Sequence, residues 1–241
     1  MNNEFYISNK DLEILKEKFP EAEAFNNAIK RLKNREPLAY IIGEWYFYNE
    51  VYKVSPSCLI PRPETELIVD ELIKKLPKNA IFADLCTGSG CIAISVLANR
   101  PDCSAIAVDI SKEALILANE NAKLNGVSDR INFINADILK DNPLGTQFFD
   151  IIVSNPPYIS SEIISTLEPE VLCEPKIALD GGDDGLVFYR RLTAEFINNI
   201  KPNGYLICEI GFDQADALRA LCDCEIKKDY GGNDRVFVMK V

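Results

Sequence analysis

The sequence predicts an α/β fold: a mostly parallel sheet with helices on both faces, preceded by a small helical region and a β-hairpin. Three observations predict it. From Pro61 onward, short apolar strands alternate with segments of helical period, a pattern that implies right-handed βαβ crossovers. The last two strands are joined by Tyr230-Gly231-Gly232-Asn233-Asp234, too short for a helical crossover, so they pair antiparallel. Before Pro61 the apolar period is first that of helices and then that of strands. A chain of 241 residues holds one such domain with its own core plus a small appendage, but not two large domains.

The elements follow in order. Leu12, Leu15 and Phe19, then Phe25, Ala28, Ile29 and Leu32, fall at helical spacing on either side of Pro20. They predict a helical hairpin over 9–35, the bulk of a small N-terminal domain spanning 1–36. Trp45 to Tyr48 and Val51 to Val54 are β-prone runs around Asn49-Glu50, a hairpin within a linker spanning 37–60. The main domain, 61–241, then reads helix 64–76, strand 80–85, helix 91–99, strand 104–109, helix 112–125, strand 131–135 and strand 149–154. It continues with helix 186–200, strand 204–209, helix 212–221 and strands near 225–229 and 234–240. Ligands in such folds bind beyond the carboxyl ends of the strands.

Composition narrows the function. The 37 acidic residues outnumber the 26 basic ones, for a net charge of -11, which opposes nonspecific binding to a phosphate backbone. Lys30, Arg31, Lys33 and Arg35 form the one dense cationic cluster and read as the solvated face of a helix. The eight cysteines include no C-x-x-C pair and the chain has no histidine, so no metal site is expected and the thiols read as reduced core residues of a cytoplasmic protein. The start, Met1-Asn2-Asn3-Glu4-Phe5, lacks the cationic and apolar regions of a secretory signal, and no apolar run is long enough to span a membrane. Without histidine, the chemistry must proceed without the commonest general base.

Successive strand ends carry the candidate ligand residues. The first main-domain strand ends in Asp84-Leu85 and runs into Cys86-Thr87-Gly88-Ser89-Gly90, a glycine-bearing turn that lets a ligand approach the backbone. It is not a complete dinucleotide fingerprint. Asp84 before the glycines suits a cationic amino acid moiety rather than a pyrophosphate. Asp109, followed by Ile110, closes the second strand at the offset where a carboxylate accepts from both hydroxyls of a ribose. After the third strand, Asp137 either accepts from an adenine amino group or caps the following turn, and Ile138 packs on the purine face. Together these residues point to an adenosine bearing an amino acid tail.

The fourth strand ends in Asn155-Pro156-Pro157-Tyr158, the most informative tetrad in the chain. Its two prolines stiffen a loop at the ligand edge of the sheet. A primary amide nitrogen is a poor nucleophile because its lone pair is delocalised. Two acceptors, the Asn155 side-chain oxygen and the Pro156 carbonyl, can hold both N–H hydrogens and aim the lone pair at a sulfonium methyl group, with Tyr158 stacked on the planar acceptor. No titrating base is then needed before methyl transfer.

At these residues the chain resembles the protein-glutamine methyltransferases that act on class I peptide chain release factors. The resemblance rests on Pro37-Leu38-Ala39-Tyr40-Ile41-Ile42-Gly43, Ile60-Pro61-Arg62-Pro63-Glu64-Thr65-Glu66, Asp84 to Gly90, Asn155 to Tyr158, and Glu174-Pro175 to Gly185. It implies the class I, Rossmann-like methyltransferase sheet of seven strands with an antiparallel last strand. It also implies that Cys86 to Gly90, Asp109, Ile138 and Asn155 contact S-adenosylmethionine, and that Asn155 to Tyr158 receive the glutamine of the Gly-Gly-Gln loop. Cys86 stands where the family often has glycine, and the helical region before Pro37 is shorter than in typical members. Arg62, Glu64 and Glu66 are expected to orient the hairpin or shape the entrance, and Leu179 to Gly185 to form a mobile flap. Two alternatives compete: a methyltransferase acting on exocyclic amines of DNA or RNA, which calls for a basic groove, and a noncatalytic binding module on the same fold.

Overall fold

The computed structural model describes residues 7–241; the first residues, where the secretory-signal reading applies, lie outside the described residues. Two helices, α1 (Asn9–Lys18) and α2 (Ala22–Lys33), form the expected helical hairpin. Ser8 caps α1 by accepting from the Asp11 backbone N–H at 3.1 Å. A short α3 (Leu38–Ile42) follows, entered from Pro37 and ended by Gly43 at φ 76°. Leu15, Ala28, Leu32 and Ile41 close a small core among the three helices. A five-residue helix is too short to show a period, which is why the sequence reading passed over α3.

The hairpin consists of β1 (Glu44–Phe47) and β2 (Glu50–Lys53), with Trp45 opposite Tyr52. Its turn is centred on Tyr48-Asn49, one residue earlier than expected, with Tyr48 in the left-handed region at φ 58°. Two groups hold that turn: the Tyr48 N–H donates to Glu66 at 2.8 Å and the Tyr48 hydroxyl to Asp70 at 2.9 Å. Glu66 therefore orients the hairpin, as expected.

The main sheet contains β3 (Ile81–Leu85), β4 (Ser104–Asp109), β5 (Ile131–Asn135), β6 (Phe149–Ser154), β7 (Ile200–Glu209), β8 (Glu225–Lys228) and β9 (Asp234–Lys240). Its spatial order is β5-β4-β3-β6-β7-β9-β8, parallel from β5 to β7, with β9 antiparallel to both β7 and β8. The closing antiparallel hairpin is thus present, with β9 inserted beside β7. Both faces are covered at the centre, so the inner strands are largely apolar on both sides. Phe82, Ile151, Val153 and Ile207 face α4 (Glu66–Lys75), α5 (Cys91–Asn99) and α6 (Lys112–Leu124). Their neighbours Ala83, Ile152, Leu206 and Cys208 face α8 (Val187–Ala194) and α9 (Ala215–Leu221). A short α7 (Pro169–Leu172) lies on the surface between β6 and α8.

The helix expected over 186–200 stops at Ala194, and β7 starts at Ile200 rather than at residue 204. The cause is local. Phe196 turns into the core, and the buried Asn199 side chain donates to the carbonyls of Gly145 and Gln147, both at 2.9 Å. The chain is thereby drawn into pairing with Phe149 before the bulge at Ile151. Of the thiols, Cys58, Cys91, Cys103 and Cys208 are core residues, but Cys173 is exposed, against expectation; all eight are unbridged. No helix among the described residues is long and apolar enough to cross a membrane.

Candidate functional site

The strand order changes direction between β3 and β6, and a cavity of about 770 Å³ opens beyond the carboxyl ends of β3, β4 and β6. That is the switch-point crevice where parallel sheets bind ligands, and its size suits a small-molecule site. Cys86, Thr87, Gly88, Ser89, Asp109, Ile110, Asp137, Ile138, Asn155 and Pro157 all line it. Gly90, Pro156 and Tyr158 adjoin lining residues in the chain but do not themselves line it.

The turn after β3 is built from unusual backbone. Cys86 has φ 62°, Gly88 φ 55° and Gly90 φ 82°. A Cβ at Gly90 would come within 2.8 Å of Ile94 and 3.2 Å of Ala118, so glycine here lets α5 pack against α6. Cys86 occupies the same left-handed region with a side chain, at a cost of about 1–2 kcal/mol relative to glycine. This explains in backbone terms why glycine suits the position.

Asp109 is held by two backbone donors, the N–H of Gly88 at 2.8 Å and that of Ser111 at 2.9 Å. Burial pushes its carboxyl up, and these hydrogen bonds pull it back towards the charged form. Each carboxylate oxygen keeps capacity for a further donor. Asp137 accepts from the Leu139 N–H at 3.0 Å and pairs with Lys140 at 2.9 Å, so it caps the turn while still lining the cavity. Ile138 and the partly exposed Ile110 add apolar wall.

Asp84 departs from expectation. It does not line the cavity but lies fully buried beneath the turn, where its Oδ2 accepts from the Thr87 hydroxyl at 2.6 Å and the Ala93 N–H at 3.3 Å. Its Oδ1 has no hydrogen-bond partner. Burial pushes its carboxyl up to about 7, against the two hydrogen bonds. The expected open acidic mouth is therefore a closed acid under the floor, able to act on a cation above it only through the turn.

Asn155 is the best-defined group of the site. Its side-chain nitrogen donates to Glu209 Oε2 at 3.0 Å and to the Thr65 hydroxyl at 3.3 Å. Because only the nitrogen can donate to a carboxylate, these bonds fix which way the amide points and leave Oδ1 to an incoming donor. The Tyr158 hydroxyl donates to Glu209 Oε1 at 3.4 Å. Sequence reasoning missed both Thr65 and Glu209. Glu209 carried the same signal as Asp109, a lone acid closing an apolar strand at the ligand edge. Thr65 sat between two glutamates that drew attention instead.

The segment expected to be a mobile flap is packed tightly. The Ile159 N–H donates to the Leu179 carbonyl at 2.9 Å, the Gly181 N–H to Ile159 at 2.8 Å and the Ser161 N–H to Gly182 at 2.9 Å. A Cβ at Gly181 would meet the Pro157 carbonyl oxygen and Tyr158 Cα, both at 2.8 Å, and one at Gly185 would overlap the Tyr158 carbonyl oxygen. Gln214 closes the clamp by donating to the carbonyls of Tyr158 at 3.0 Å and Gly185 at 3.1 Å. Arg62 pairs with the buried Glu174, which also accepts from the Ile60 N–H at 2.9 Å, so this pair joins two distant segments at the cavity entrance.

A family model described as the methyltransferase small domain matches residues 63–199. The release factor glutamine methyltransferase of Caulobacter vibrioides is 43% identical over 220 residues, covering 88% of this chain and 75% of its own. That of Geobacter sulfurreducens is 40% identical over 223 residues, covering 90% and 77%. The chain belongs to the release factor glutamine methyltransferase family. The fold agrees with that membership. A methyltransferase structure from Pyrococcus furiosus superposes with a TM-score of 0.58 at 17% identity, over 78% of this chain and 87% of its own. Within the family match lie the cavity-lining residues from Thr65 to Phe188 and the clamped Asn155-Pro156-Pro157-Tyr158 loop.

Proposed function

We propose that this chain transfers a methyl group from S-adenosylmethionine to the side-chain amide nitrogen of the glutamine in the Gly-Gly-Gln loop of class I peptide chain release factors, in the cytoplasm. The single observation that carries the mechanism is the orientation of Asn155, whose nitrogen is engaged and whose oxygen is left to the cavity. The relatives named for this activity supply the identity of the acceptor.

The donor set fits an adenosyl group. Asp109, anchored by Gly88 and Ser111, has the capacity to accept from two ribose hydroxyls. Ile110 and Ile138 would flank the adenine, and Asp137 would accept from its amino group while keeping its bond to Leu139. Cys86, Thr87, Ser89 and Gly90 shape the turn against the amino acid end, and a cation bound there draws Asp84 towards its charged form. When bound, the cofactor supplies an electrophilic methyl group on a sulfonium.

The chain's own residues do the rest. Asn155 Oδ1 and the Pro156 carbonyl accept the two amide hydrogens of the glutamine and turn its nitrogen towards the methyl group. Positioning of this kind contributes up to roughly 7–11 kcal/mol in well-oriented systems. Pro157 stiffens the loop, and the Tyr158 ring covers the planar acceptor and excludes water. No side chain must gain or lose a proton before transfer, and the amide nitrogen, cationic once methylated, releases one of its two hydrogens as a proton to solvent as the product leaves. We divide the chain into a helical part, 1–36, a hairpin linker, 37–60, and the catalytic unit, 61–241, with the first two available to hold the body of the release factor.

The test is tritium transfer from labelled S-adenosylmethionine to a purified release factor, with peptide mapping of the product. Label is expected on the loop glutamine. Asn155→Ala is expected to lower the rate by about 10²–10³-fold, as loss of one oriented dipole does elsewhere, while cofactor binding survives. Unchanged transfer in that variant would reject the mechanism.

A further inference from the structure

Glu209 closes β7 and is 1% exposed, yet its carboxylate collects three donors from two separate stretches of chain. The Thr65 hydroxyl donates to Oε2 at 2.5 Å, the Asn155 nitrogen to the same oxygen at 3.0 Å, and the Tyr158 hydroxyl to Oε1 at 3.4 Å. Thr65 also accepts from Asn155 at 3.3 Å, so the two residues and the amide form a closed triangle. The Tyr189 hydroxyl donates to the Glu209 backbone carbonyl at 2.7 Å, which fixes the strand end itself.

We infer that Glu209 is a positioning residue for methyl transfer, acting through Asn155 with Thr65 as its second arm; the inference rests on the function proposed above. An asparagine side chain has two orientations that fill the same volume, and only one of them presents oxygen to an amide nucleophile. The carboxylate selects that one, because the flipped amide would set oxygen against oxygen. It also draws on the Asn155 N–H and so raises the accepting power of Oδ1, since hydrogen bonds in series polarise one another. Its second oxygen reaches Tyr158, so one group orients both ends of the catalytic loop.

Burial raises the proton affinity of Glu209, while Thr65, Tyr158 and the nearby Arg235 hold it towards the charged form against Glu64. A buried acid that served packing alone would gain nothing from facing an amide at the cavity wall.

The experiment compares the wild-type chain with Glu209→Gln and Thr65→Val, using a purified release factor as acceptor and calorimetry for S-adenosylmethionine binding. Glu209→Gln is expected to lower kcat on the order of 10²-fold, the loss typical of a small misplacement at a reacting centre. Cofactor Kd and acceptor KM are expected to stay within about twofold, because the interaction matters only once the amide is aligned. Thr65→Val is expected to show the same split with a loss of roughly tenfold. Wild-type kcat in a Glu209→Gln chain that binds cofactor overturns the inference, and so does a loss confined to KM. If Glu209→Gln does not fold, Thr65→Val decides, and wild-type kcat there overturns it equally. A wild-type chain that methylates no release factor rejects the underlying function and this inference with it, an outcome distinct from an active wild type beside unaffected variants.

Discussion

Single residues divide into those whose chemistry shows in the sequence and those whose role depends on a neighbour. Asp109 and Asn155 belong to the first group: an acid at a strand end and an amide before two prolines are legible as they stand, and both line the cavity. Asp84 belongs to the second. Its place at the end of an apolar strand is legible, but nothing in the sequence says that Thr87 and the start of α5 fold over it. The consequence is measurable. Its carboxyl is raised to about 7 in the folded chain, so between its unfolded value, about 4, and 7 the native state holds a proton that the unfolded state has lost. Stability attributable to Asp84 is therefore full at acid pH and falls as pH rises through that window, levelling off above it. Urea midpoints of the wild type and Asp84→Asn should diverge across pH 5 to 7, with the stability difference changing in favour of the variant by roughly 1.4 kcal/mol per pH unit. A constant difference would mean that Asp84 stays charged in the folded state.

At the level of elements, the inner parallel strands were legible almost to the residue because they are mostly buried and apolar, and the helices over them because their period is sustained. Elements that answer to long-range contacts were not. β7 begins early because Asn199 satisfies carbonyls more than fifty positions away. The stretch from Leu179 to Gly185 looked loose from its glycines and aspartates, yet those glycines are there for closeness. Gly185 sits at φ 72° against the Tyr158 carbonyl, with Gln214 bridging the two backbones. Gly185→Ala adds both a clash and a strained left-handed residue, and is expected to lower stability by about 2 kcal/mol or more. Methyl transfer should fall with it even under conditions where the chain remains folded, because the displaced backbone carries the catalytic loop. A thermal melt paired with a transfer assay checks both, and full activity in a folded variant would show that the clamp is dispensable.

For the molecule as a whole, charge argues for a protein acceptor. The net charge of -11 leaves little attraction for a polyanion, and the cationic run at the end of α2 is partly neutralised, with Arg31 against Glu36 and Arg35, just beyond the helix, against Glu170. Filter binding should therefore detect no salt-sensitive retention of RNA or DNA near physiological ionic strength. Retention with methyl incorporation into the nucleic acid would move the chain to the exocyclic-amine reading. A last consequence follows from the fixed direction of Asn155. At the point where Asn155 presents its oxygen, the guest must bring a hydrogen. Glutamate has the outline of glutamine but carries no N–H, so a release factor whose loop has deamidated with age would give Asn155 no hydrogen to accept. On the proposed mechanism, methyl transfer would reach only copies whose loop still carried its amide.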